Sequence, residues 1–151
     1  MVSGQKIKKY CRCLEQLGKL LEVTDDGISR MATIVAVLHN EMDYFSWTGF
    51  YRHIAGRLII GPYQGLAATQ DLEKNTGVCW TCFNKEQTVV VSDVTKFEGH
   101  IACDINSRSE IVVPCKDGTG KVYAVLDVDS HDCGAFDDTD KTFLEKIIEL
   151  L

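Results

Sequence analysis

The sequence has no apolar run approaching the roughly 20 residues that a helical membrane span requires. Its basic opening, "MVSGQKIKKYCRC", is followed by no apolar segment of the kind that a secretory signal carries. It has no phosphate-binding loop, no dinucleotide fingerprint and no serine-nucleophile elbow, which removes local support for nucleotide-dependent and serine-hydrolase chemistry. An excess of positive charge is also lacking, since the net charge is −6. The dense basic patch of Lys6, Lys8, Lys9 and Arg12 reads as a solvated helix face rather than a nucleic-acid contact. No internal repeat, linker or low-complexity segment interrupts the chain, so the 151 residues read as one domain, 1–151. Cysteine, by contrast, is plentiful, with seven residues at 11, 13, 79, 82, 103, 115 and 133. An odd number at irregular spacing argues against a secreted disulfide framework and for a cytoplasmic protein with reduced thiols.

Hydrophobic periodicity divides the chain into elements. Ile7, Tyr10, Cys11, Leu14, Leu17, Leu20 and Leu21 recur at helical spacing over 5–22, and Ile28, Met31, Ile34, Val35, Val37, Leu38 and Met42 do so over 27–43, with Asp25 or Asp26 available as a cap. "SWTGFYRHI" and "GRLIIGPY" then read as two strands joined at Ala55-Gly56. A polar stretch leads to a short helix in "VCWTCFNKE" after Gly77, a strand in "TVVVSDV" and a long loop, "TKFEGHIACDINSRS". "EIVVPCKDGTGKVYAVLDVDS" is a second hairpin, turning at Asp117 to Gly120, and "FDDTDKTFLEKIIELL" is a final amphipathic helix. Adjacent hairpins with helices around them predict an α+β fold, an antiparallel sheet with its helices on one side.

Four constellations have chemical potential. Cys103 sits in the polar stretch "GHIACDINSRSE", three residues after His100, beside Asp104 and before Glu110. A thiol attacks as its thiolate; a protonated His100 would favour that form and Asp104 would oppose it, so a reactive cysteine and an inert buried one both remain open. Cys79 and Cys82 lie three apart on a predicted helix and share a face, a spacing that serves a redox pair, half of a zinc site, or two small apolar groups packing the helix down. No second pair at matching spacing completes a structural zinc site. In "VLDVDS", Asp127 and Asp129 point to one face of a predicted strand while Leu126 and Val128 point to the other. Two acids inside a hydrophobic strand either face solvent or bind something. Glu110 opens the neighbouring strand and is expected near them, in a cluster suited to an ammonium group or to a carboxyl that keeps its proton. Finally, Trp47, Gly49 and Tyr51 share a strand face, with Gly49 expected to leave space between two aromatics, as a small apolar pocket or as ordinary core.

The stretches "WTGFYR", "LIIGPYQG", "GVCWT", "VSDVTKFEGHIACDINSRSEIVVP" and "VLDVDS…FDDTDKTFLEKI", from residue 47 to about 148, resemble the free methionine-(R)-sulfoxide reductases, enzymes of the GAF fold. The resemblance implies that Cys103 attacks the sulfoxide and that Cys79 is the second redox cysteine, with Cys82 as an alternative resolving thiol. It implies that Trp47 and Tyr51 receive the methyl end of the substrate, while Glu110, Asp127 and Asp129 hold its amino group and the sulfoxide oxygen. It further implies free methionine sulfoxide as substrate, a thioredoxin-like dithiol as reductant, no cofactor or metal, and a homodimer. The sequence departs from the pattern at two places. Thr69 in "YQGLAATQ" stands where a third redox cysteine is usual, and Trp80 and Cys82 replace the glycine and alanine common after "GVC". The competing readings are a GAF-type ligand sensor, which is normally joined to an output domain, and a thiol-based redox switch.

Overall fold

A computed structural model of the chain describes residues 3–100 and 105–151; Cys103 and Asp104 lie outside the described residues. The elements run α1 (Ser3–Leu20), α2 (Gly27–Glu41), β1 (Trp47–Ile54), β2 (Arg57–Gln64), β3 (Asp71–Leu72), α3 (Gly77–Lys85), β4 (Val89–Val91), β5 (Ser109–Lys116), β6 (Val122–Ser130) and α4 (Asp138–Ile148). The six strands form one antiparallel sheet in the order β3-β2-β1-β6-β5-β4. The two long hairpins, β1–β2 and β5–β6, therefore meet through β1 and β6 at the centre. The first hairpin turns at Ala55 and Gly56, both at positive φ, as a two-residue hairpin loop requires. Asp26 caps α2 by accepting the Ser29 amide at 2.7 Å.

Two elements differ from the sequence reading. The polar stretch after Tyr63 contains the two-residue strand β3, too short to show alternation. The strand expected in "TVVVSDV" stops at Val91, because Asp93 accepts the Thr95 amide and turns the chain into a short 3₁₀ segment, Val94–Lys96.

The helices do not all lie on one side. Helices α1, α2 and α4 bury Tyr10, Leu17, Ile34, Leu38 and Leu144 against Phe50, Ile111, Val113, Leu126 and Val128 of the sheet. Helix α3 covers the opposite face, where Val78, Cys79, Trp80 and Cys82 pack with Trp47, Tyr51, Val112 and Val125. Period-2 alternation makes both faces of β1, β5 and β6 buried, so a second layer is required and α3 supplies it.

The basic patch on α1 is also not a solvated face. Lys6 is buried, and its Nζ donates to Ala135 O at 2.7 Å, Asp137 Oδ2 at 3.0 Å and Asp140 Oδ2 at 2.5 Å. Tyr10 Oη donates to Asp140 Oδ1 at 2.7 Å, and Tyr44 donates to the same oxygen. Lys9 Nζ donates to Glu41 O at 2.8 Å, and Arg12 pairs with Glu41. These side chains bolt α1 to α2 and to the start of α4, where Asp137 and Asp140 form a capping box. Lys8, the fourth, is exposed and pairs with none of these groups among the described residues.

Candidate active site

The sheet register lines up the acids before any side chain is considered. Along one row, Trp47 of β1 faces Asp129 of β6, which faces Glu110 of β5; along the next, Gly49 faces Asp127, which faces Val112. Directly paired residues share a face, so Trp47, Asp129, Glu110 and Asp127 all project toward α3. Glu110 is 2%, Asp127 0% and Asp129 1% exposed, which rules out the solvent-facing reading of these strands.

Helix α3 brings a thiol to them. Cys79 Sγ and carboxylate oxygens of Glu110 and Asp127 all lie within 4.8 Å of one another. Cys82, one turn later, does not join this group: its Sγ donates to Val112 O at 3.5 Å. Burial, reinforced by the charges of Cys115, Asp127 and Glu110, pushes the Cys82 thiol far above its ordinary value. The two cysteines thus share a helix face but meet different surroundings.

Glu110 is held protonated well above the ordinary carboxyl range, first by burial and then by the charge of Asp129, with a hydrogen bond to Asp127 working against both. His100 comes to this acid, with Nδ1 3.3 Å from Glu110 Oε2. That is an ion-pair distance without hydrogen-bond alignment, and neither His100 ring nitrogen nor Glu110 Oε2 has a hydrogen-bond partner among the described residues. Burial lowers the His100 pKa, opposed by the charge of Asp127, so the imidazole tends to the neutral form.

The aromatic wall is built differently from the expectation. Gly49 does not leave an empty space between Trp47 and Tyr51. The Trp47 ring occupies it, and a Cβ at Gly49 would lie 2.5 Å from that ring and 2.4 Å from Tyr63 Cβ. Gly65, at φ +127°, admits the same ring from the other side, where a Cβ would lie 2.5 Å from Trp47 Cδ1. Trp47 stacks on Tyr63 at 5.3 Å and on Tyr51 at 6.1 Å. Their polar tips are spent on the segment that follows β2: Trp47 Nε1 donates to Leu66 O at 3.0 Å and Tyr51 Oη to Thr69 O at 2.9 Å. Trp80 Nε1 extends the series to Leu72 O at 3.3 Å. With their polar tips bonded to that segment, Trp47 and Tyr51 add apolar ring surface to the sheet face that carries the acids.

With this geometry established, comparison with known proteins is decisive for kinship. A GAF domain model matches residues 12–151. The chain is 36% identical over 146 residues to the free methionine-R-sulfoxide reductase of Escherichia coli, covering 97% of this chain and 88% of that protein. This chain belongs to the free methionine-R-sulfoxide reductase family of GAF-domain proteins. It is also 39% identical over 149 residues to GAF domain-containing protein A of Dictyostelium discoideum, covering 98% and 93% of the two chains. Among solved structures, free methionine-R-sulfoxide reductase from Neisseria meningitidis in complex with its substrate matches with a TM-score of 0.88 and 35% identity, covering 93% of this chain and 84% of that one.

Against this family background the departures gain a structural place. Thr69 contributes its carbonyl to Tyr51, and Trp80 fills the interface between α3, β3 and the aromatic pair His53 and Phe83. Sequence reasoning missed Ser107, whose hydroxyl donates to Asp129 Oδ1 at 2.6 Å, and Ser109, whose hydroxyl donates to Asp132 O at 2.6 Å. Serines flanking an acidic strand have no periodic signature; only the fold shows that Ser107 serves Asp129. Proximity in sequence links His100 to Cys103, which lies outside the described residues; among the described residues the fold brings His100 to Glu110.

Proposed function

We propose that this protein reduces the R epimer of free methionine sulfoxide to methionine. The observation that carries the reading is the buried group of Glu110, Asp127 and Asp129 with the Cys79 thiol beside it, on the sheet face next to Trp47 and Tyr51. Relatives named free methionine-R-sulfoxide reductase, and a structure of one in complex with its substrate, support the same assignment. In this reading Asp127 and Asp129 hold the substrate ammonium, Glu110 meets the sulfoxide oxygen, the rings of Trp47 and Tyr51 receive the S-methyl end, and the start of α3, whose cap residue Thr76 makes no side-chain cap bond, offers its amides to the substrate carboxylate.

Cys103 is the proposed nucleophile. Its thiolate attacks the sulfoxide sulfur while the oxygen takes a proton, since an unprotonated oxygen is a poor leaving group. Glu110, kept protonated by burial and Asp129, is the proposed donor. Oxygen passes to the cysteine, giving methionine and a sulfenic acid at Cys103. The Cys79 thiol then displaces that oxygen as water, forming a Cys79–Cys103 disulfide, which an external thioredoxin-like dithiol reduces by exchange. Cys79 is preferred over Cys82 as the resolving residue because it borders the acids, whereas Cys82 bonds to the sheet and is strongly disfavoured as a thiolate.

The reading is tested by incubating the protein with dithiothreitol and each epimer of free methionine sulfoxide and measuring methionine. Release from the R epimer with little from the S epimer is expected. No release from either epimer would leave the GAF-type ligand sensor as the better description.

A further inference from the structure

The cluster beside α3 has the donor set of a transition-metal site. Cys79 Sγ and oxygens of Glu110 and Asp127 lie within 4.8 Å of one another, and His100 Nδ1 stands 3.3 Å from Glu110 Oε2. We propose that, with its thiols reduced, this protein binds one zinc ion through Cys79, Glu110, Asp127 and His100.

The geometry is within reach of a tetrahedral ion. Zinc bonds of about 2.3 Å to sulfur and about 2.0–2.2 Å to nitrogen or oxygen put neighbouring ligand atoms roughly 3.3–3.8 Å apart. The His100–Glu110 contact is already at that spacing; Cys79, Glu110 and Asp127, now within 4.8 Å of one another, need to close in by roughly 1–1.5 Å, and His100, which lies outside that group of three, swings in from its place against Glu110. Mixed sulfur, nitrogen and oxygen donors select a borderline-soft ion and disfavour magnesium and calcium, which take all-oxygen sites. Glu110 Oε2 and both His100 ring nitrogens are buried without hydrogen-bond partners among the described residues, and Glu110 is only 2% exposed. Such orphaned polar atoms call for a partner, and a cation supplies one to the carboxylate and the imidazole together.

Binding exchanges a proton for the ion: Cys79 ligates as its thiolate, and the thiol proton passes to solvent. The groups facing this exchange are Asp129 and Asp127 on β6, Glu110 on β5, Cys79 and Cys82 on α3, and His100 itself. If the reductase reading holds, on which this consequence rests, zinc occupies carboxyl groups that take the substrate ammonium and sulfoxide oxygen and ties up the resolving thiol, so it inhibits in competition with substrate.

The test uses the full chain carrying Cys11→Ser and Cys133→Ser, which removes the exposed thiols among the described residues, fully reduced and titrated with zinc against a chromophoric chelator. One zinc per chain is expected. Adding Cys79→Ser should weaken binding at least about a hundredfold, and Glu110→Gln or His100→Ala at least about tenfold, while Cys82→Ser leaves it unchanged. Cobalt in place of zinc should show a thiolate charge-transfer band that Cys79→Ser abolishes and Cys82→Ser keeps. Less than one zinc per chain, equal affinity in the Cys79→Ser protein, or loss on Cys82→Ser instead would overturn the proposal. All of these readouts are made without methionine sulfoxide. Zinc bound as described by a protein that turns over no substrate would uphold the site and sink the reductase reading; active enzyme with no zinc binding would do the reverse.

Discussion

Strands β5 and β6 carry two opposite kinds of surface, one on each face. Toward α1, α2 and α4 they present Ile111, Val113, Leu126 and Val128, packed into the apolar core. Toward α3 they present Glu110, Asp127 and Asp129, equally buried and charged or protonated. The first face lowers the free energy of folding by about 1.5–3 kcal/mol for each large side chain removed from water. The second raises it, since carboxyl groups are taken from water into a site where repulsion between Glu110 and Asp129 keeps one of them protonated. Alternation along a strand lets the fold gain stability on one side and hold a costly chemical site on the other, only a few ångströms away.

Substitutions on the two faces should therefore part stability from activity. The largest effect is expected at the proposed nucleophile: Cys103→Ser should lower turnover at least about a thousandfold and leave the melting temperature unmoved, checked by methionine release beside thermal unfolding. On the helical face, Leu126→Ala should cost about 2–5 kcal/mol in denaturant unfolding while the folded fraction keeps its turnover. A Leu126→Ala protein as stable as the parent would break the comparison.

Glu110→Gln should do the reverse, lowering activity and stabilising the fold. The sign follows from linkage: a carboxyl whose folded pKa is raised adds stability below its unfolded value of about 4.3 and loses it as pH rises through the folded value. The gain from Glu110→Gln should thus be small near about pH 4 and larger near about pH 8, read from melting temperatures at the two pH values. A gain that shrinks with rising pH would contradict the assignment of the buried proton. The smallest effect is expected within α3. Cys82→Ser should change turnover by less than about twofold, whereas Cys79→Ser should stall regeneration after one methionine is released. Peptide mapping after one equivalent of substrate should find Cys103 joined to Cys79; a Cys103–Cys82 link would move the resolving role.

Much of this arrangement was legible in the sequence, because it rests on short-range rules. Period-2 alternation put Asp127 and Asp129 on one face, and hairpin pairing brought Glu110 opposite Asp129. The Ala55-Gly56 turn and the start of α2 were readable from local turn and capping chemistry. What escaped was decided by tertiary contacts. Lys6 resembles any exposed helix lysine until α4 brings Asp137 and Asp140 to it. The difference between Cys79 and Cys82 is set by what each thiol meets across α3, the acids for one and Val112 O for the other, which no spacing encodes. Gly49 looked like room for a ligand, and the Trp47 ring fills that room because Gly65, far along the chain, lets it fold over. Ser107 and His100 serve acids on other strands and have no local signature.

The central claim is that the buried acids recognise a free amino group beside a reducible sulfoxide. It is tested most directly by comparing kcat/KM for free methionine R-sulfoxide and for its N-acetyl derivative. Acetylation removes the ammonium charge, adds bulk and leaves buried carboxylates without a cation, so a loss of at least about 10⁴ in kcat/KM is predicted. Comparable rates on the two compounds would contradict the account, because a site that ignores the amino group has no use for Asp127 and Asp129 where the fold has buried them.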